Sequence, residues 1–425
     1  AQEKAAAGGW PTYRRDAARS GSTDASVPAR LEALWSVRPG GRLTPPVFDG
    51  ERLYVASPDT HAVHAVGKKD GRLQWTFTAD GPVDSPPTLH EGLVLFGCRD
   101  GRVYALRARD GALAWRFRAA PREERIVARG RMESPWPVPG SILVVKGLAY
   151  FVAGRSSFLD GGMDLFAIDP HKAAVRHRIH LDGPRPDLRK DVGRPFDMEG
   201  WKPDILTSDG ERIFLFFHEF DLDLKACHTP APQTQAGRRR GRLHLMATSG
   251  FLDDDWHDRT FWTYSHTWQG RYFRPPLPGS GQILSFDETT TYALQGFPDR
   301  NFMSPGFVPG QKGYRLVADE NEKAPGAKPR RKWAVSIPVR ARAMVLAGET
   351  IFLAGPPDVV PQHDPPAALE GRLKAELWSI SARDGTRIAR MDVDAVPVFD
   401  GMVADEGALY VVSEKGNVIR LGKGS

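Results

Sequence analysis

Apolar and polar positions alternate in short runs along much of the chain, and between Pro45 and Phe117 the pattern is written twice. Leu53-Tyr54-Val55-Ala56 falls on Leu93-Val94-Leu95-Phe96, Val63-His64-Ala65-Val66 on Val103-Tyr104-Ala105-Leu106, Asp70-Gly71 on Asp110-Gly111, and Trp75 on Trp115, each pair 40 residues apart. Trp35 stands 40 residues before Trp75. Short β-runs closed by Asp-Gly turns at this period predict four-stranded antiparallel blades of a β-propeller. Trp75 and Trp115 are expected to pack between neighbouring blades.

The same reading carries on around a ring. Leu148–Ala153, Leu165–Ile168 and Val175–Leu181 make a third blade, with His177 in the tryptophan's place. A fourth is assembled from Ile205–Leu206, Ile213–His218, Leu243–Thr248 and Phe261–Ser265. A fifth uses Ile283–Phe286, Tyr292–Gln295, Tyr314–Ala318 and Trp333–Ile337. The sixth uses Met344–Ala347, Ile351–Ala354, Leu377–Ser381 and Arg387–Val393. Three last strands, Met402–Ala404, Leu409–Ser413 and Val418–Leu421, lack a fourth, and Leu31–Val37 lacks a blade. Joining them closes the ring and leaves no unpaired edge between its two ends. The expected fold is all-β: a seven-bladed propeller, or eight blades if one is hidden between 240 and 300. Residues 31–425 form one domain, and the Ala-, Gly- and Ser-rich residues 1–30 are expected as an arm on its surface.

Loop lengths break the symmetry. In a four-stranded blade, the second-to-third connection and the link to the next blade open on one face. The segments 121–141, 154–162, 182–204, 218–242, 268–281, 296–313 and 355–371 all belong to that class; only 251–259 and 319–331 belong to the other. Loops this long are usually functional, so one face should carry a built-up rim.

Composition narrows the picture only in places. Hydrophobic residues are 41% of the 425, enough for a large core, and no run nears the roughly 18 apolar residues of a membrane helix. The polar start, Ala1-Gln2-Glu3-Lys4, suits a mature chain trimmed after a small residue. A net charge of +6 favours anionic partners, but Arg238-Arg239-Arg240 lacks interleaved aromatics, which argues against nucleic acid. Cys98 reads as a core residue, and Cys227 lies in a polar loop. Two cysteines cannot make a disulfide framework or a four-thiolate zinc site.

The strings Val63-His64-Ala65-Val66…Asp70-Gly71-Arg72-Leu73-Gln74-Trp75 and Val103-Tyr104-Ala105-Leu106…Asp110-Gly111-Ala112-Leu113-Ala114-Trp115 resemble the PQQ-like propeller repeat. Leu377-Trp378-Ser379-Ile380-Ser381-Ala382-Arg383-Asp384-Gly385 does so more loosely. That repeat belongs to the superfamily of quinoprotein alcohol dehydrogenases and of the propeller lipoprotein of outer-membrane assembly. The whole chain looks like exported PQQ-binding-like proteins of environmental bacteria such as planctomycetes. The resemblance implies a periplasmic or secreted location, and a monomer is the expected state. It does not imply PQQ: the family's dehydrogenases carry an adjacent cysteine pair over the cofactor and a calcium site, and this chain has no Cys-Cys and no Cys-x-x-Cys-His. No cofactor is expected, although calcium is compatible with the acidic loops.

The rim loops cluster aromatic, basic and acidic residues. Arg131, Glu133 and Trp136 open the third blade, followed by Arg155 and Asp160; Arg194, Asp197 and Trp201 precede the fourth; then come Trp268, Arg271, Tyr272, Arg274 and Arg300. Aromatic platforms beside forked guanidinium donors suit a sugar ring or a carboxylate. The same residues could equally pair with one another to hold long loops down. Asp253–Arg259 is the densest polar cluster but matches no metal-loop spacing. Two functions follow. In one, a non-catalytic propeller binds an anionic small molecule, glycan or protein on its loop-rich face. In the other, a lyase acts on uronic-acid polymers, with Arg194 or Arg274 neutralising the carboxylate and His218 and Tyr272 as base and acid.

Overall fold

A computed structural model describes residues 9–128, 130–182, 205–216, 218–227, 239–247, 250–252, 261–268, 277–296, 313–368 and 370–424. Its sheets follow one another in chain order. The first blade is Val47–Phe48, Arg52–Ser57, Ala62–Gly67 and Leu73–Thr78, and the second Thr88–His90, Leu93–Gly97, Arg102–Arg107 and Leu113–Arg118. Leu143–Val145, Leu148–Ala153, Met163–Ile168 and Val175–Leu181 form the third. The middle strands of each are buried on both faces, and the outermost strand alternates half-buried and exposed positions. That is the pattern of a sheet packed between two neighbours with its last strand facing water.

The tryptophans show how blades are joined. Trp75 donates its indole N–H to Ala108 O (3.0 Å) in the outer hairpin of the next blade, and Trp35, Trp115 and Trp333 do the same to Lys68, Pro170 and Ala382. Each of Trp35, Trp75 and Trp333 also lies against the turn glycine of that hairpin: Gly71, Gly111 and Gly385. These glycines have φ of +69°, +72° and +78°, and a Cβ on Gly111 would stand 2.6 Å from the ring of Trp75. Gly111→Ala is therefore expected to destabilise by more than the roughly 1–2 kcal/mol of a left-handed alanine, measured by urea denaturation; a loss below 0.5 kcal/mol (roughly a surface substitution's effect) would show that the indole moves freely. In the third blade, His177 takes the tryptophan's role, with Nε2 3.3 Å from Asp223 of the fourth.

Closure follows the expected route. Glu32–Val37 pairs antiparallel with Val418–Gly422, outside Ala408–Ser413 and Pro397–Asp405, so the two ends of the chain share the last blade.

The blade count is eight, not seven. Ile213–Phe220 is not one strand: the chain turns at Phe216 (φ +58°), and Leu215 pairs back on His218. Leu206–Ser208, Ile213–Leu215 and His218–Phe220 thus make the fourth blade, extended by a bridge from Phe220 to Ala226. Arg239–Ala247, Trp262–Trp268 and Ser280–Gly281 become a separate fifth, in the interval where an eighth blade could hide. The run Ile213-Phe214-Leu215-Phe216-Phe217-His218 hides the turn because it holds none of the Gly, Asn or Asp residues that mark hairpins. The sixth blade is Ile283–Phe286, Thr290–Gly296, Tyr314–Glu320 and Arg331–Ser336; the seventh is Ala343–Ala347, Thr350–Gly355, Ala375–Ser381 and Arg387–Val393.

Within the expected surface arm, residues 10–23 do not lie on the surface. Trp10, Tyr13, Arg14 and Arg19 are buried, and the backbone from Trp10 to Ser26 crosses the axis of the ring. It pairs with Phe48, receives N–H bonds from Leu89, Ser208, Phe286 and Gly407, and runs parallel to Leu346 and Ala347. These partners lie at the ends of the innermost strands, next to the turns into the second strands. The segment therefore plugs the channel at the face opposite the long links. A buried stretch of few apolar residues is tolerable because its polar groups find partners on the exposed inner edges of the blades. Among the described residues, no helix is long and apolar enough to cross a membrane.

Candidate binding site on the loop-rich face

With one end plugged, the channel is blind. A cavity of about 580 Å³ opens toward the other face, with Tyr13 of the plug in its lining, Phe251 and Phe399 on one side, and Arg42, Arg99, Arg131 and Arg342 around its mouth. Tyr13 is held as a hydrogen-bond donor to the wall of the ring. Burial, then the charge of Asp400, push its phenol well above the usual range, and its O–H donates to Asp400 Oδ2 at 2.7 Å.

The guanidinium groups are held in place from neighbouring blades. Arg99 donates to Asp84 from Nε (2.5 Å) and Nη2 (2.8 Å), and from Nη1 to Glu133 Oε2 at 3.1 Å. Arg155 is ion-paired to the other oxygen of Glu133, whose side chain is fully buried. Arg131 reaches back over the first blade to Pro58 O (2.9 Å) and Asp59 Oδ1 (2.7 Å), and Arg42 shares the same carboxylate. Partial burial alone would raise the Asp59 carboxyl, but the hydrogen bonds from Arg131 and Arg42 hold it below its ordinary value. Arg342 pairs with Glu414. The result is a belt of alternating charge rather than a positive trap. Its forked donors are fixed, and Arg42, at 63% side-chain exposure, still faces solvent.

Of the residues expected at a site, Arg131 lines this cavity, while Glu133 and Arg155 pair with each other behind the lining residue Arg99. Arg131 and Glu133 sit on a hairpin, Ile126–Ala128 with Arg131–Glu133, inside the link to the third blade. Trp136 is buried, with its indole N–H bonded to Asp160 O (2.8 Å) and Arg122 stacked over it; it holds a loop instead of offering a platform. Asp160 contributes that carbonyl from an exposed turn. His218 is buried in the fourth blade. Trp268 lies at the end of a strand in the fifth. Arg194, Asp197, Trp201, Arg271, Tyr272, Arg274, Arg300 and the Asp253–Arg259 cluster lie outside the described residues.

Sequence reasoning missed Arg42, Arg99, Arg342 and Tyr13, which come from short turns, a strand start and the plug. It also passed over His61. Burial, then the charge of Arg131, lower the imidazole of this residue below its ordinary value. Cys98 is a buried core thiol, pushed up by burial, and Cys227 is exposed; the two are unpaired with each other.

An eight-bladed propeller with a blind, charge-paired cavity is the class that fold and geometry define. Residues 24–212 match the family model described as outer membrane protein assembly factor BamB. The 1-butanol dehydrogenase (cytochrome c) of Thauera butanivorans is 30% identical over 215 residues, 46% of this chain and 28% of that protein. BamB of Moranella endobia is 39% identical over 66 residues, covering 16% of this chain and 17% of its own. The chain thus spans under a third of the length of either relative. Among solved structures, quinohemoprotein alcohol dehydrogenase from Comamonas testosteroni superposes with a TM-score of 0.57 at 15% identity, covering 99% of this chain and 82% of that one. For BamB from Moraxella catarrhalis the TM-score is 0.51 at 14% identity, with coverage of 93% and 98%. Identities this low speak for the fold alone. The chain is thus a β-propeller that is similar, over its first half, to PQQ-like repeat proteins.

Proposed function

We propose that this propeller is a non-catalytic, exported binding protein whose loop-rich face takes a carboxylate-bearing ligand: an anionic small molecule, an acidic glycan or an acidic protein segment. The observation that carries the reading is the belt of fixed guanidinium groups around a blind cavity with an aromatic lining. Pre-oriented arginines recognise a carboxylate by geometry, and little side-chain entropy is lost when the ligand arrives. The matches to outer membrane assembly factors support an exported location and a protein partner.

The described residues of this cavity do not favour PQQ with calcium. Among them, the lining carboxylates Asp84 and Glu414, and Asp59 and Glu133 behind them, are each committed to arginines rather than set out as donors for a hard cation. Neither cysteine reaches the other to form the family's ring.

Calorimetry with oligouronates and with acidic peptides tests the proposal. Binding of one class should weaken at least ~10-fold, or about 1.4 kcal/mol, in Arg131→Glu. No binding of either class, or equal binding by the variant, would defeat it.

The lyase reading keeps one specific support: an imidazole, His61, within electrostatic reach of Arg131, a guanidinium of the cavity lining. Absorbance of unsaturated sugars released from alginate or pectin, abolished by His61→Ala, would replace the binding proposal with that one.

A further inference from the structure

We infer that His90, Glu91 and His171 form a site for a divalent transition-metal ion of the zinc class, bridging the second and third blades on the plugged face. His90 ends the innermost strand of the second blade, Glu91 lies in the turn that follows, and His171 sits in the outer hairpin of the third. One ligand atom from each lies within 4.8 Å of the others. Nε2 of His171 is already 2.8 Å from Glu91 Oε2, and the two imidazole centroids are 5.8 Å apart. Zinc bonds of about 2.0–2.1 Å in a tetrahedron set ligand atoms roughly 3.3 Å apart, so rotations of partly exposed side chains complete the geometry.

The turn that offers His171 is held independently of any ion. Asp169 Oδ1 accepts the backbone N–H groups of His171 and Lys172, both at 3.0 Å, and Trp115 of the second blade bonds Pro170 O at 2.9 Å. The two blades are thus already locked where the ligands meet, which limits the ordering that binding must impose. Two imidazoles and one carboxylate select zinc, nickel or copper over calcium or magnesium, and a solvent-facing position remains for water. The site is remote from the cavity, so it stands or falls separately from the proposed ligand binding. Its effect is to clamp two blades, and binding to the folded chain alone raises its thermal midpoint.

The test is zinc titration into the full chain, free of any histidine tag, by calorimetry and by thermal unfolding, with cobalt as a spectroscopic substitute. One-to-one binding, a raised midpoint and the intense visible bands of tetrahedral cobalt are expected. His171→Ala and Glu91→Gln, both at exposed positions, should keep the fold by circular dichroism and lose affinity by more than about 30-fold. His363→Ala, an exposed histidine of the seventh blade, should change nothing. Equal affinity across all variants, or the absence of one-to-one binding by the unaltered chain, would overturn the assignment and leave an ordinary His–Glu surface pair.

Discussion

Asp400→Ala is expected to destabilise the protein by about 3–5 kcal/mol, the cost of leaving a buried charge without its partner. Arg14 and Asp400 are 2% and 3% exposed, joined at 2.8 Å, and Tyr13 adds its hydroxyl to the same carboxylate. The alanine strands a guanidinium that also donates to Leu284 O and Arg19 O and lies 4.8 Å from the centre of the Trp262 ring. The double change Arg14→Met with Asp400→Leu removes both charges and should recover part of the loss. Urea denaturation of the three proteins measures this. A cost below about 1 kcal/mol for the single change would mean that the plug is not held by this pair.

Removing residues 1–37 should have the larger effect: no cooperative unfolding transition, with the product recovered as aggregate by size-exclusion chromatography. The truncation takes away the plug and the fourth strand of the last blade together. It bares the edge of Val418–Gly422, which in the intact ring is paired along Glu32–Val37. An open, partly apolar edge is a template for self-association, and the first blade loses the indole that covers Gly71. Removing only residues 1–30 separates the two contributions: it spares closure and opens the channel. That shorter truncation should stay monomeric with a lowered thermal midpoint. A folded, monomeric product of the longer truncation would show that the other blades suffice to hold the ring.

Legibility in the sequence tracked how local each determinant is. Asp70-Gly71 and Asp110-Gly111 announce their hairpins because the turn itself demands those residues. Trp35 announces ring closure because it stands one 40-residue period before Trp75, and in the fold it bonds Lys68 O of the first blade as Trp75 bonds Ala108 O of the second. The turn at Phe216 could not be read so, because an apolar residue stands where a turn signal would. Of the described long-loop residues named from the sequence, only Arg131 lines the cavity; Glu133 and Arg155 pair behind it, and Trp136 and Asp160 are spent on holding a loop. The pairing of rim residues, one of the two readings the sequence left open, is what the described loops display.

By itself, the sequence determined the propeller class, the blade register in the first, second and last blades, and the closing strand. Period, alternation and turn residues are properties of neighbouring positions, and they survive without coordinates. Tertiary structure alone decided the number of blades, the course of residues 10–26 through the channel, and the composition of the cavity. Each depends on which distant backbone edge offers a partner to a polar group. Arg14 meeting Asp400 across 386 positions leaves no periodic trace in the chain.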